Sequence, residues 1–101
     1  MIAVRDSVNV PFEIEIREQG EPLDVSGATT KDVILEKPNS EEKVTLAAAF
    51  VNTGTDGRIV GRTAMGDLDQ VGTWRVYAHF VGGAYDVYTP PSIFEVVSRY
   101  V

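Results

Sequence analysis

The chain has 101 residues, 44% of them hydrophobic and 24% charged, which fits one globular domain with its own core and excludes a low-complexity tail. Fifteen acidic residues against nine basic ones give a net charge of −6, so a phosphate backbone would meet a repulsive field and nucleic acid is not an expected partner. Cysteine is absent and histidine occurs once, at His79, which removes disulfide frameworks, thiolate zinc sites and thiol nucleophiles and leaves a Ser-His-Asp triad one imidazole to draw on.

Residues 1–6 show no basic region followed by an apolar stretch, and no apolar run nears the ~18 residues of a membrane span, so neither an export signal nor a membrane partner is expected. Val8, Val10, Phe12, Ile14 and Ile16 then alternate with Asn9, Pro11, Glu13 and Glu15. This period of two predicts a strand over 8–16 with one face buried, and Pro11, which cannot donate to a ladder, puts that strand at a sheet edge. Residues 18–22 are turn-forming by composition, 23–25 read as a short extended piece, and Gly27 as a bend or bulge.

A second strand is predicted over 29–37, apolar on both faces at Val33, Ile34 and Leu35. Over 43–51 the alternation of Val44, Leu46, Ala48 and Phe50 predicts a strand, although Asn39 with Glu42 also forms the pattern of a helix capping box. Asp56-Gly57 marks a hairpin turn and 58–63 its return strand. Residues 65–70 read as a crossing segment with one helical turn and Leu68 as its inward plug. Trp74, Val76, Ala78 and Phe80 alternate with Arg75, Tyr77 and His79 in a further half-buried strand, Gly82-Gly83 supplies a tight turn, 85–88 returns, Pro90-Pro91 breaks the ladder, and 93–100 closes the chain. About seven strands with turn signals every 8–12 residues predict an antiparallel immunoglobulin-like β-sandwich, one domain over 1–101 with 1–6 as a candidate arm.

The residues that invite sharper readings mostly have plainer ones. Trp74 lies in the apolar phase of its strand and reads as a core anchor rather than a sugar-stacking platform. His79, in the polar phase without a second histidine, reads as a solvated or interface residue. Asp56, Asp67 and Asp69 lack the full pattern of a calcium loop and read as turn residues, and Glu13 with Glu15 as a charge row guarding an edge rather than a glycosidase pair. No catalytic residue, metal or cofactor is expected.

More informative is the uncharged outer phase Thr45, Ala47, Ala49 and Val51, where a solvated face normally carries Lys or Glu. With Tyr77 it forms a candidate protein contact, the alternative being cover by a loop of the same chain. The last strand is apolar in both phases (Ile93, Val97 and Val101 in one, Phe94, Val96 and Tyr100 in the other), and Ile2 and Val4 in the arm are similarly sticky. Val97, Tyr100, Ile2 and Val4 therefore join the candidates for edge-to-edge contact.

Three pieces in order carry a resemblance: Leu23-Asp24-Val25-Ser26-Gly27-Ala28-Thr29, Asp56-Gly57-Arg58-Ile59, and Asp67-Leu68-Asp69-Gln70-Val71-Gly72-Thr73-Trp74 ahead of Phe94-Glu95-Val96. Together they resemble the immunoglobulin-like N-terminal domain of phage baseplate upper proteins and related small tailed-phage virion proteins. The resemblance implies a structural subunit without catalysis or cofactor, docking on other virion proteins and on copies of itself within a multi-copy assembly in the virion. It also implies structural roles for Gly27 as a bend, Gly57 as the hairpin residue, and Gly72 with Trp74 as the lead-in to the central strand. Members of the baseplate type continue into longer regions, whereas this sequence stops at Val101; a neck, tail or capsid-decorating subunit is therefore expected over a fibre shaft. The rival readings are a carbohydrate-binding module, needing several aromatics on one exposed face with Tyr77, Tyr85 and Tyr88 as candidates, and a carboxylate hydrolase.

Overall fold

Every regular element in the computed structural model is a strand, among the residues it describes (2–38, 41–82 and 86–98). In chain order they are β1 (Ile2–Val4), β2 (Pro11–Glu15), β3 (Arg17–Glu18), β4 (Glu21–Pro22), β5 (Thr30–Glu36), β6 (Lys43–Phe50), β7 (Arg58–Arg62), β8 (Gly72–Val81), β9 (Asp86–Tyr88) and β10 (Ser92–Val97). The segment with two readings, 43–51, is thus strand as far as Phe50, and its alternation outweighs the capping-box pattern before it.

Local departures from the predicted elements have local causes. The strand expected over 8–16 begins only at Pro11, because Asp6 (φ 67°) and Asn9 (φ 63°) turn the chain in left-handed conformations that short polar side chains tolerate. Residues 23–25 form no strand; instead β3 and β4 close a small ribbon across Gln19 (φ 53°) and Gly20 (φ 83°), and Val25 then drops into the core with its N–H on Gly54 O at 2.8 Å. No helical turn forms at 65–70, where Gly66 (φ 86°) leaves the helical region and Asp67 takes the Ala64 N–H at 2.6 Å; Leu68 is nonetheless fully buried.

The main sheet has eight strands, in the order β1-β10-β8-β5-β6-β7-β2 with β9 also on β8. All pairs are antiparallel except β1 with β10, which is parallel through Ile2↔Glu95, Ala3↔Val96 and Val4↔Val97. The expected all-antiparallel arrangement is therefore corrected to a mixed sheet. β1 and β10 lie at opposite ends of the sequence, so no tight turn dictates their relative direction. Within the segment 1–6, Ile2–Val4 is an edge strand on β10, with Ala3 buried beside Val96.

β6 makes the sheet curl. Its first half, Lys43–Ala47, pairs with β5, and its second, Ala48–Phe50, with β7. The β7–β2 half folds back over β10 and β8, setting the Phe12 ring 4.8 Å from Phe94 between centroids. At the other end β8 carries β9 and β10 on one edge, but Val76 faces Ser92 while His79 faces Tyr88, so Thr89, Pro90 and Pro91 oppose only Tyr77 and Ala78. This bulge is where Pro90-Pro91 cannot donate to the ladder. Thr89 repairs it: its N–H reaches Ala78 O at 3.0 Å, and its buried Oγ1 accepts the Ala78 N–H at 2.8 Å.

Candidate interaction surface

The curl leaves one broad outer face on the β6–β5–β8–β9 half. Because side chains alternate along each strand, Val33, Leu35, Leu46, Ala78 and Phe80 turn inward, and the intervening residues meet across strands in register. Three rows result: Lys43–Glu36–Arg75, Thr45–Ile34–Tyr77, and Ala47–Asp32–His79–Tyr88. The aromatic end is packed. His79 stacks on Tyr88 at 4.2 Å between centroids with the planes 5° apart, and Tyr77 meets Tyr88 edge-on at 6.0 Å. His79 is half-buried with Nε2 2.6 Å from Asp86 Oδ1, and a hydrogen bond with Tyr77 raises the Lys43 pKa.

Tyr77 and Ala47 thus share a face although thirty positions separate them, with β5 between. Ala49 and Val51 do not join them. They are exposed beyond the point where β6 changes partners, Ala49 opposite Val60 and Val51 with its N–H on Arg58 O. A second apolar patch gathers at the β1 edge: Ile2 (69% exposed), Val4 and Ile93 (67%) lie outward with half-buried Val97. Tyr100 lies outside the described residues. Ile34 and Asp32 were missed as surface residues, since a central apolar run carries no sign of which member will face outward.

Trp74 is fully buried, its indole N–H donating to Gln70 O at 3.0 Å. Gly57 and Gly72 take φ of +73° and +142°. Gly27 has no positive φ and open space around it, so the bend it was expected to require places no demand on glycine.

The carboxylates are engaged in folding contacts. Asp56 binds Asn52 Nδ2 at 3.0 Å and the Arg58 N–H, Asp67 holds Ala64 N–H, and Asp69 pairs with Lys37 Nζ at 3.0 Å. Glu15 bonds Arg58 Nε at 2.8 Å and also Arg17, and the Arg58 bond foremost holds its carboxyl below the usual carboxylate range, unlike the raised pKa of a general acid. A depressed folded-state pKa adds stability that is complete above the unfolded pKa and lost as pH falls through the folded one. Glu15→Gln should therefore shrink the fall in Tm between about pH 5 and pH 3, read by circular dichroism; an unaltered fall would show the ion pair inert.

Compared with known proteins, the chain matches no family model and no curated protein. What fold and surface define is a class: an all-β domain built on one mixed, curled sheet.

Proposed function

We propose that the chain is an immunoglobulin-like structural subunit of a tailed-phage virion, docking through its outer sheet face on other virion proteins and on copies of itself. The strand order supports the immunoglobulin-like reading. β2–β7–β6 and β5–β8–β10 run as the B–E–D and C–F–G neighbours of that fold, with β6 passing from one layer to the other. Trp74 departs from the antibody pattern, standing on β8 at the F position instead of on C. The phage assignment rests on the resemblance of residues 23–29, 56–59 and 67–74. An acidic balance suits a subunit that stays soluble until it docks, and repeated copies would multiply a modest contact.

The observation that carries docking is that exposed, small and uncharged Thr45 and Ala47 share a face with half-buried Ile34 on β5 and half-buried Tyr77 on β8. Small residues there let another surface approach closely. Ala47→Glu sets a carboxylate beside Asp32 on that face and should lower particle incorporation by about tenfold, as an unpaired charge in an interface does, while Tm stays near wild type because the site is exposed. Unchanged incorporation would refute the contact. Tyr77 and Tyr88, meeting on one face with Tyr88 61% exposed, support a second reading as a carbohydrate-binding platform; glycan-array binding lost in Tyr88→Ala would favour it.

A further inference from the structure

Two opposite charges on the outer face are left without partners. In the register of β5 and β8, Ile34 faces Tyr77, with the pair Asp32–His79 one step to one side and Glu36–Arg75 one step to the other. Each flanking pair has one member committed elsewhere. Glu36 turns to Lys43 on β6 at 3.9 Å, and His79 Nε2 lies 2.6 Å from Asp86 Oδ1 on β9. The side chains of exposed Arg75 and half-buried Asp32 make no ion pair or hydrogen bond with another described residue.

Their placement is symmetric. Asp32 stands two residues from Ile34 on β5 and Arg75 two residues from Tyr77 on β8, in opposite directions, so the Ile34–Tyr77 pair is the midpoint between an anion and a cation. A surface arranged in this way is complementary to itself. A two-fold axis lying across the strands at that midpoint turns a second sheet face down and sets Arg75 of each copy over Asp32 of the other. With strands about 4.8 Å apart and about 6.8 Å for every two residues, that superposition crosses the two sets of strands at about 40°, near the ~30° of packed sheets.

We propose that the outer faces of two copies of this chain pack together about this two-fold, joined by two reciprocal Arg75–Asp32 ion pairs around an Ile34–Tyr77 centre. The inference rests on the outer face being the docking surface and names its occupant. A partner carrying one sign of charge satisfies only one of the two groups, whereas a second copy satisfies both. Four strands by three rows cover roughly 400 Å² per copy, about half the ~800 Å² of a standard interface, so the contact is weak between free chains and gains from repetition in an assembly.

The test is sedimentation of the whole chain from micromolar to millimolar concentration, where a reversible dimer that weakens with added salt is expected. Arg75→Glu and Asp32→Arg should each weaken self-association by about tenfold or more, with Tm near wild type. An equimolar mixture of the two variants should regain the wild-type affinity, because each copy then supplies the charge the other lacks; the double variant should do the same. Where a reversal fails to fold, Arg75→Gln and Asp32→Asn take its place and should remove the salt dependence. A wild-type chain monomeric at millimolar concentration, reversal variants that dimerise as tightly as wild type, a mixture no tighter than either variant, or salt dependence kept in the neutral variants would overturn the proposal. The docking face is judged separately by Ala47→Glu: reduced incorporation with a monomeric wild-type chain keeps that face and overturns the second copy as its occupant, and a charge-rescued dimer with unchanged incorporation supports the second copy and refutes docking on the particle.

Discussion

Trp74→Ala should lower Tm by roughly 15–30 °C, the largest loss expected of any single substitution in the core. The indole is fully buried and lies 5.8 Å from the Phe94 ring, which is itself 4.8 Å from Phe12. These three rings join β8, β10 and β2, so Trp74 stands where the curled sheet closes on itself. Truncating a buried Trp costs about 3–5 kcal/mol, and the Gln70 carbonyl also loses its donor, worth about 1 kcal/mol. Against about 5–15 kcal/mol for a whole domain, that is a large share. Trp74→Phe keeps a ring but not the N–H, and should fall between. A drop below about 5 °C for the alanine variant, by thermal circular dichroism, would show that the two halves hold together without the ring contact.

Gly57→Ala should cost about 3 kcal/mol or more, unusual for the addition of one methyl group. Gly57 has φ +73°, and a Cβ there would stand 2.5 Å from Ile16 O and 2.8 Å from Leu23 O. Both are backbone atoms, and neither can swing aside as a side chain would. The Ile16 carbonyl already accepts the Leu23 N–H at 3.0 Å, and the Gly57 carbonyl accepts the Ile16 N–H at 2.9 Å. Three segments cross at this residue. Gly27→Ala is the matched control: with space around it and no positive φ, it should shift stability by no more than about 1 kcal/mol, and upward if at all. Equal denaturation midpoints for the two variants would contradict the steric account.

Pro11 shows how far a residue's own chemistry reaches. A missing N–H excludes a central ladder position wherever the strand lies, and β2 is indeed the last strand of its sheet. The Pro90-Pro91 break was legible for the same reason, whereas the compensation by Thr89 was not, since a hydroxyl replacing a ladder acceptor depends on what stands 2.8 Å away. Similarly, the uncharged phase at Thr45–Ala47 was visible as an anomaly, but its neighbours Ile34 and Tyr77 come from strands paired only in the folded chain.

From the amino-acid order alone came the all-β character, the inward phase of β2, β6 and β8 and most of the turns, because side-chain alternation, proline's missing donor and the turn residues act within a few positions. Tertiary structure alone decided that β1 runs parallel to β10 and that β6 divides between two partners. Backbone hydrogen bonds are alike at every residue, so a ladder carries almost no record of its partner in either sequence. The choice among partners falls to the packing of distant apolar faces such as Phe12 on Phe94, which exists only once the sheet has curled.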